Sequence, residues 1–93
     1  MVIGLLQMHL AIREANSLKD KRRVIKSLRD RIRHDFNVSV SEVDHQDRRR
    51  SAALAVALVT TDGTFADQVM AKVVSLVRRT PGAELVEYET ELL

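Results

Sequence analysis

The sequence predicts an α+β fold of the ferredoxin-like kind, β-α-β-β-α-β, and three observations carry the prediction. Two segments, 17–33 and 65–79, repeat their apolar residues with the helical period. Four others, 1–12, 37–43, 51–61 and 83–92, alternate with the period of a strand. The strand–helix–strand units they form call for right-handed crossovers, which set both helices on one face of a four-stranded antiparallel sheet with the first and third strands central.

In residues 1–12, Val2, Leu6, Met8, Leu10 and Ile12 fall on one side with Gly4, and Ile3, Leu5, Gln7, His9 and Ala11 on the other. His9 reads as a structural histidine. Residues 13–16 are the loop into the first helix. In the segment SLKDKRRVIKSLRDRIR, Leu18, Ile25, Leu28, Ile32 and Phe36 form one apolar stripe with Val24 beside it. Ser17 is the N-cap, and Asp20 stands where a capping box would carry Glu. Arg22, Lys26, Arg29 and Arg33 form a basic stripe roughly 110° round from the apolar face, at ~100° per residue, and Lys19 extends it. Lys21 is anomalous because its helical angle places it near the centre of the apolar face. Snorkelling past the sheet edge is the reading adopted for it; pairing with Glu42 or Asp44 is the alternative.

The second strand, NVSVSEV, directs Val38 and Val40 inward, and the phase of Val43 calls for a bulge near Ser41 and Glu42. DHQDRRR is a polar connection. The third strand has a bulky side (Ala52, Leu54, Val56, Leu58) and a small one (Ala53, Ala55, Ala57, Val59). The turn Asp62-Gly63-Thr64 leads into the second helix. Its core face is Phe65, Val69, Val73, Leu76 and Val77, with Ala66 and Met70 at the margin, and Thr64 with Asp67 repeats the cap pattern. Thr80-Pro81-Gly82 ends it. In the last strand Val86, Tyr88 and Leu92 are assigned inward, Glu87, Glu89 and Glu91 outward, and Leu85 is out of step.

Ninety-three residues, 45% of them hydrophobic, suit a single domain spanning 1–93. The absence of cysteine excludes a disulfide framework, a thiolate metal site and a thiol nucleophile, and fits a reducing cytoplasm. There is no run of ~20 apolar residues to cross a membrane, and VIGLL lacks the flanks of a signal peptide. The sequence therefore places the protein in the cytoplasm, away from membranes. Net charge is +2, but residues 13–50 hold 12 basic and 7 acidic residues, whereas 81–93 hold four Glu and no base. Such polarity steers polyanions.

Three functional surfaces follow. Lys19, Arg22, Lys26, Arg29 and Arg33, with Arg48, Arg49 and Arg50 of the loop, are candidate nucleic-acid contacts. In this topology the loop need not lie beside the stripe. The competing interpretation is that the stripe is a solvated face. Ile3, Leu5, Ala53, Ala55, Ala57 and Val59, on the uncovered sheet face, are candidate contacts for a homodimer or another partner. That face lacks the aromatic residues with which single-strand RNA binders of this strand order stack bases. Lys21, Glu42, Asp44, His45 and Asp47 form a polar cluster that could bind a divalent ion or act as acid and base. Internal salt bridges to the adjacent arginines explain these acids without metal. No phosphate-binding glycine motif and no triad or HExxH spacing is present, so the sequence favours a non-enzymatic module without metal or cofactor.

The two segments Ser17-Leu18-Lys19-Asp20-Lys21-Arg22-Arg23 and Ser39-Val40-Ser41-Glu42-Val43-Asp44-His45-Gln46-Asp47 resemble the YlxP-like bacterial family of unknown function. The likeness extends more loosely over the opening strand and the AELVEYE ending. It implies a small ferredoxin-like domain with a Lys at position 21. It also implies a ribosome- or RNA-associated role, because genes of the family stand among those for translation initiation and ribosome maturation. Relatives often carry apolar or aromatic residues after the position of Asp47, where this chain has Arg48 and Arg49. Structured RNA or a ribosomal particle is the partner expected; the alternative is protein interaction or homodimerisation through the sheet.

Overall fold

The computed structural model describes all 93 residues. It carries β1 (Val2–Ala11), α1 (Leu18–Asp35), β2 (Ser39–Asp44), β3 (Ser51–Thr60), α2 (Gly63–Arg78) and β4 (Glu84–Leu92). The antiparallel sheet has the order β2-β3-β1-β4, with the first and third strands central as the crossover argument requires. Leu6, Met8 and Leu10 of β1 and Leu54, Val56 and Leu58 of β3 face the helices. There they join Ile25, Leu28 and Ile32 of α1 and Val69, Val73 and Val77 of α2 in one apolar cluster.

Ser17 caps α1. Its Oγ accepts the Asp20 N–H at 3.1 Å, while Asp20 Oδ2 accepts from Asn16 N at 3.0 Å, so the reciprocal bond of the capping box lands one residue before the cap. The helix runs two residues past the expected Arg33. For α2 the expected cap is corrected. Asp62, not Thr64, is the N-cap, its Oδ1 accepting from Thr64 N at 2.9 Å, and the helix begins at Gly63. The face is corrected with it. Phe65 is half exposed, and Ala66, Met70 and Val74 are buried. Gly4 supplies the reason: a Cβ there would lie 2.8 Å from Leu58 Cδ2 and 3.3 Å from Ala66 Cβ. Ala66 packs over Gly4, and with Ala66 on the inner face the neighbouring Phe65 points outward.

Two bulges reset the sheet. In β2 the register shifts between Glu42 and Asp44, leaving Val43 unpaired and exposed, one residue beyond the expected position. In β4, His9 pairs with Glu87 but Leu10 with Leu85, so Val86 is the extra residue. Val86 is exposed rather than inward, and the out-of-step Leu85 is the one packed on the core. Tyr88 and Leu92 share the helix side with Met8 and Gly4, but they remain half exposed because β4 is an edge. No helix is long and apolar enough to cross a membrane.

Candidate nucleic-acid interface

Lys21 is the residue around which the site is built. It is fully buried, in line with Ile25, Leu28 and Ile32 on the inner face of α1, and does not snorkel. Its Nζ donates to the carbonyls of His45 (2.6 Å) and Ser51 (3.0 Å) and lies 2.9 Å from Glu42 Oε2. The pairing with Glu42, the alternative to snorkelling, is the one found. Glu42 Oε2 is the third oxygen about the ammonium and has no other partner. An ammonium has three protons, and three oxygens surround this one, which is what allows the charge to be buried.

The bulge at Val43 makes the arrangement possible. Glu42 pairs with Leu54 and shares the helix side, whereas Asp44, past the bulge, pairs with Ala53 and shares the open side. Without the extra residue both acids would take the same face. His45 follows at φ 63°, a left-handed backbone that turns its carbonyl to Lys21 and to Arg48 N (3.0 Å). Its N–H is accepted by Asp44 Oδ1 at 2.7 Å. The His45 ring meets the His9 ring edge-on at 5.8 Å between centroids. Ala53 lies in the same row of the sheet and is only 4% exposed, unlike the half-buried Ala55 and Ala57, which removes it from the candidate contact surface.

The polar cluster is thus divided by its two faces. Ion contacts in the molecule are Arg13–Glu84, Lys21–Glu42, Lys26–Asp30 and His34–Asp35, so the expected bridging of Asp44 and Asp47 to the loop arginines is not formed. No three His, Asp or Glu side chains converge as a metal site.

The loop Gln46–Arg50 is tied at three points to the stretch from the end of β1 to the first turn of α1. Lys21 holds both its ends, Arg50 Nε donates to Ala15 O (3.0 Å), and Ile12 N donates to Arg50 O (2.9 Å). Arg33 Nη2 donates to Val40 O at 2.8 Å, so the basic stripe of α1 lies on the side of the edge strand β2. Since β2 leads into the arginine loop, stripe and loop share one edge of the molecule. Their residues are not equally available. Lys19, Arg22, Arg48 and Arg49 are exposed. Lys26 bonds Asp30 Oδ2 at 2.8 Å, and that hydrogen bond holds the Asp30 carboxyl below its ordinary range. Arg29 is half-buried with an unpartnered Nε, and Arg33 and Arg50 are held by carbonyls. Sequence reasoning passed over Arg23, which is exposed next to Arg22; its signal was the run Lys21-Arg22-Arg23.

On the open sheet face, Ile3, Leu5, Ala55 and Ala57 are half-buried and Val59 is exposed. Leu93, unassigned from the sequence, exchanges two backbone hydrogen bonds with Ile3 and is 63% exposed. Glu84, Glu87, Glu89 and Glu91 pair with Ala11, His9, Gln7 and Leu5, so β4 lays four carboxylates along this face. Arg13 bonds Glu84 and lowers its carboxyl pKa.

These features define the class as a small α+β domain of ferredoxin-like fold, with base and acid on opposite sheet edges. The family model described as a protein of unknown function, DUF503, matches residues 3–90, and the chain belongs to that family. It is 30% identical over 90 residues to the uncharacterized protein YlxP of Bacillus subtilis (strain 168), covering 97% of this chain and 98% of that one. Among solved structures, a de novo designed protein with ferredoxin fold has a TM-score of 0.59 at 12% identity, covering 98% of this chain and 86% of its own. SnoaB, a cofactor-independent oxygenase from Streptomyces nogalater, has a TM-score of 0.53 at 12% identity, covering 99% and 90%. At such identities these two establish the fold alone.

Proposed function

We propose that this protein is a non-enzymatic cytoplasmic binding module that docks on structured RNA, such as that of a ribosomal particle. Its contact surface is the edge formed by the outer flank of α1 and the β2–β3 loop. The observation that carries the reading is the attachment of the arginine loop to the first turn of α1 by Lys21 and to the segment just before that helix by Arg50. That attachment sets Arg48 and Arg49 at the end of the helix where Lys19, Arg22 and Arg23 emerge. A fixed row of cations at one edge, with the carboxylates of β4 at the other, gives orientation as well as attraction. The open face holds no Phe, Tyr or Trp, its rings being the imidazoles of His9 and His45, and Phe36 and Phe65 belong to helix ends while Tyr88 lies under Arg78. Backbone contact with folded RNA fits this inventory better than base stacking.

The test is sedimentation with ribosomal particles at low and high salt, together with anisotropy titrations of a labelled RNA hairpin. Affinity is expected to fall steeply with salt. Arg22→Glu/Arg48→Glu should weaken it at least about tenfold and flatten the log–log salt slope by roughly 1 to 2, at ~0.7–0.9 for each phosphate no longer neutralised. These residues are exposed and unbonded, so their replacement leaves the fold intact. Unchanged affinity in the double variant, or migration at the top of the gradient at every salt, overturns the proposal.

A second reading is supported by the open sheet face, where Val59 and Leu93 stay exposed on either side of Ile3. In that reading the face is a protein-interaction or homodimer surface and the basic stripe is only solvated. Ala55→Arg would then abolish association while Arg22→Glu/Arg48→Glu behaved as wild type.

A further inference from the structure

The opposite edge of the sheet carries a feature that RNA binding leaves unused. β4 pairs only with β1, so for nine residues its outer backbone groups have no strand beside them. Natural edge strands are usually short, capped or covered. β2, the other edge, is six residues long, bulged at Val43 and bonded by Arg33 at Val40 O. β4 has a bulge only at Val86, near its start, and beyond it Glu87–Leu92 is regular. Beside this stretch a groove of about 400 Å³ opens between α2 and the strand. Ala71 and Val74 line it on the helix, Tyr88 and Thr90 on the strand, with Asp67 and Arg78 from opposite ends of α2. On the other side of the same strand stand Glu87, Glu89 and Glu91.

We propose that β4 is an acceptor for strand addition, and that its occupant is an extended segment of another protein in which basic residues alternate with apolar ones. Strand period and the two faces specify that pattern. A strand laid against β4 sends alternate side chains to opposite faces of the sheet. One set would meet Ala71, Val74 and Tyr88 in the groove beside α2, and the other the carboxylates of Glu87, Glu89 and Glu91. Cross-strand pairs of opposite charge stabilise such a pairing, and like charges oppose it. This excludes a second copy that continues the sheet with its helices on the same side, since its β4 would set these three glutamates against their own counterparts. Main-chain bonds would supply attachment, and the alternation of pocket and acid the specificity.

The probe is a blocked ten-residue synthetic peptide alternating Lys with Val, titrated into the 15N-labelled protein. Amide shifts are expected at Glu87–Leu92 and at Ala71 and Val74, with new exchange protection on the outward amides of β4. A peptide of the same sequence N-methylated at alternate residues on the pairing edge should bind at least about tenfold more weakly, as should one with Glu in place of Lys. Ala71→Trp, which fills the groove from an exposed position, should abolish the shifts without altering RNA affinity. Undiminished binding of the N-methylated peptide, shifts confined to the open face, self-association through β4, or no binding by millimolar peptide overturns the proposal.

Discussion

Lys21 concentrates the physical argument at the scale of a residue. A buried ammonium is tolerated here because Glu42 and two carbonyls complete its shell, and removing one partner exposes the cost of burying the rest. Lys21→Met should destabilise the fold by about 3 kcal/mol, read as a lower urea midpoint with unchanged m-value. It should also increase amide exchange across Gln46–Arg50, which Lys21 holds at both ends. Helical periodicity identified Lys21 as misplaced for a surface base. Its partner was not legible, because choosing Glu42 over Asp44 requires the bulge at Val43, and bulge position is settled by packing of the flanking pairs. The His9–His45 ring contact is illegible in the sequence for the same reason, since His45 reaches His9 only through a left-handed turn.

At the scale of the element, the caps and close approaches decide where each helix begins and which face it buries. Ser17→Ala removes the acceptor for Asp20 N and should cost about 1 kcal/mol in thermal or urea unfolding. Gly4→Val would overfill the contact between β1 and α2 and should cost about 1–3 kcal/mol, with Leu58 and Ala66 shifting their resonances. The Arg13–Glu84 bridge joins the ends of β1 and β4. Glu84 has a lowered carboxyl pKa, so its contribution is complete above the ordinary carboxylate range and disappears as pH falls through the depressed value. Both partners are exposed, so the effect on acid unfolding should be small and erased in 1 M salt, a comparison that Glu84→Gln makes directly. The cap pattern at Thr64 and Asp67 is a poor guide here because Asp62, two residues earlier, accepts from Thr64 N and starts the helix at Gly63.

Over the whole molecule, strand order converts a sequence asymmetry into a spatial one. Bases concentrated in residues 13–50 and acids in 81–93 belong to opposite edges because β2 and β4 flank the sheet. The proposed RNA edge and the proposed strand-addition edge are therefore independent surfaces. Glu89→Lys/Glu91→Lys should weaken the alternating Lys-Val peptide at least about tenfold and leave the salt slope of RNA binding unchanged. Arg22→Glu/Arg48→Glu should do the reverse. Weakening of both ligands by either variant would show that the two surfaces act as one.

The order of elements, the central strands, the inner faces of β1 and β3, the apolar stripe of α1 and the existence of a basic stripe are all legible in the sequence. Each of these follows from periodicity, composition and the handedness of crossovers, which are properties of neighbours along the chain. Packing settles that the arginine loop is tied beside the start of α1, that Arg33 and Arg50 are bonded to carbonyls, that Ala53 is closed off, and that Leu85 rather than Val86 faces the core. Those outcomes depend on single-residue bulges and on contacts between segments distant in the chain, such as Arg50 with Ala15 and Leu85 with Leu10. A one-residue change of register reverses the face of every side chain beyond it, and only the packed sheet fixes that register.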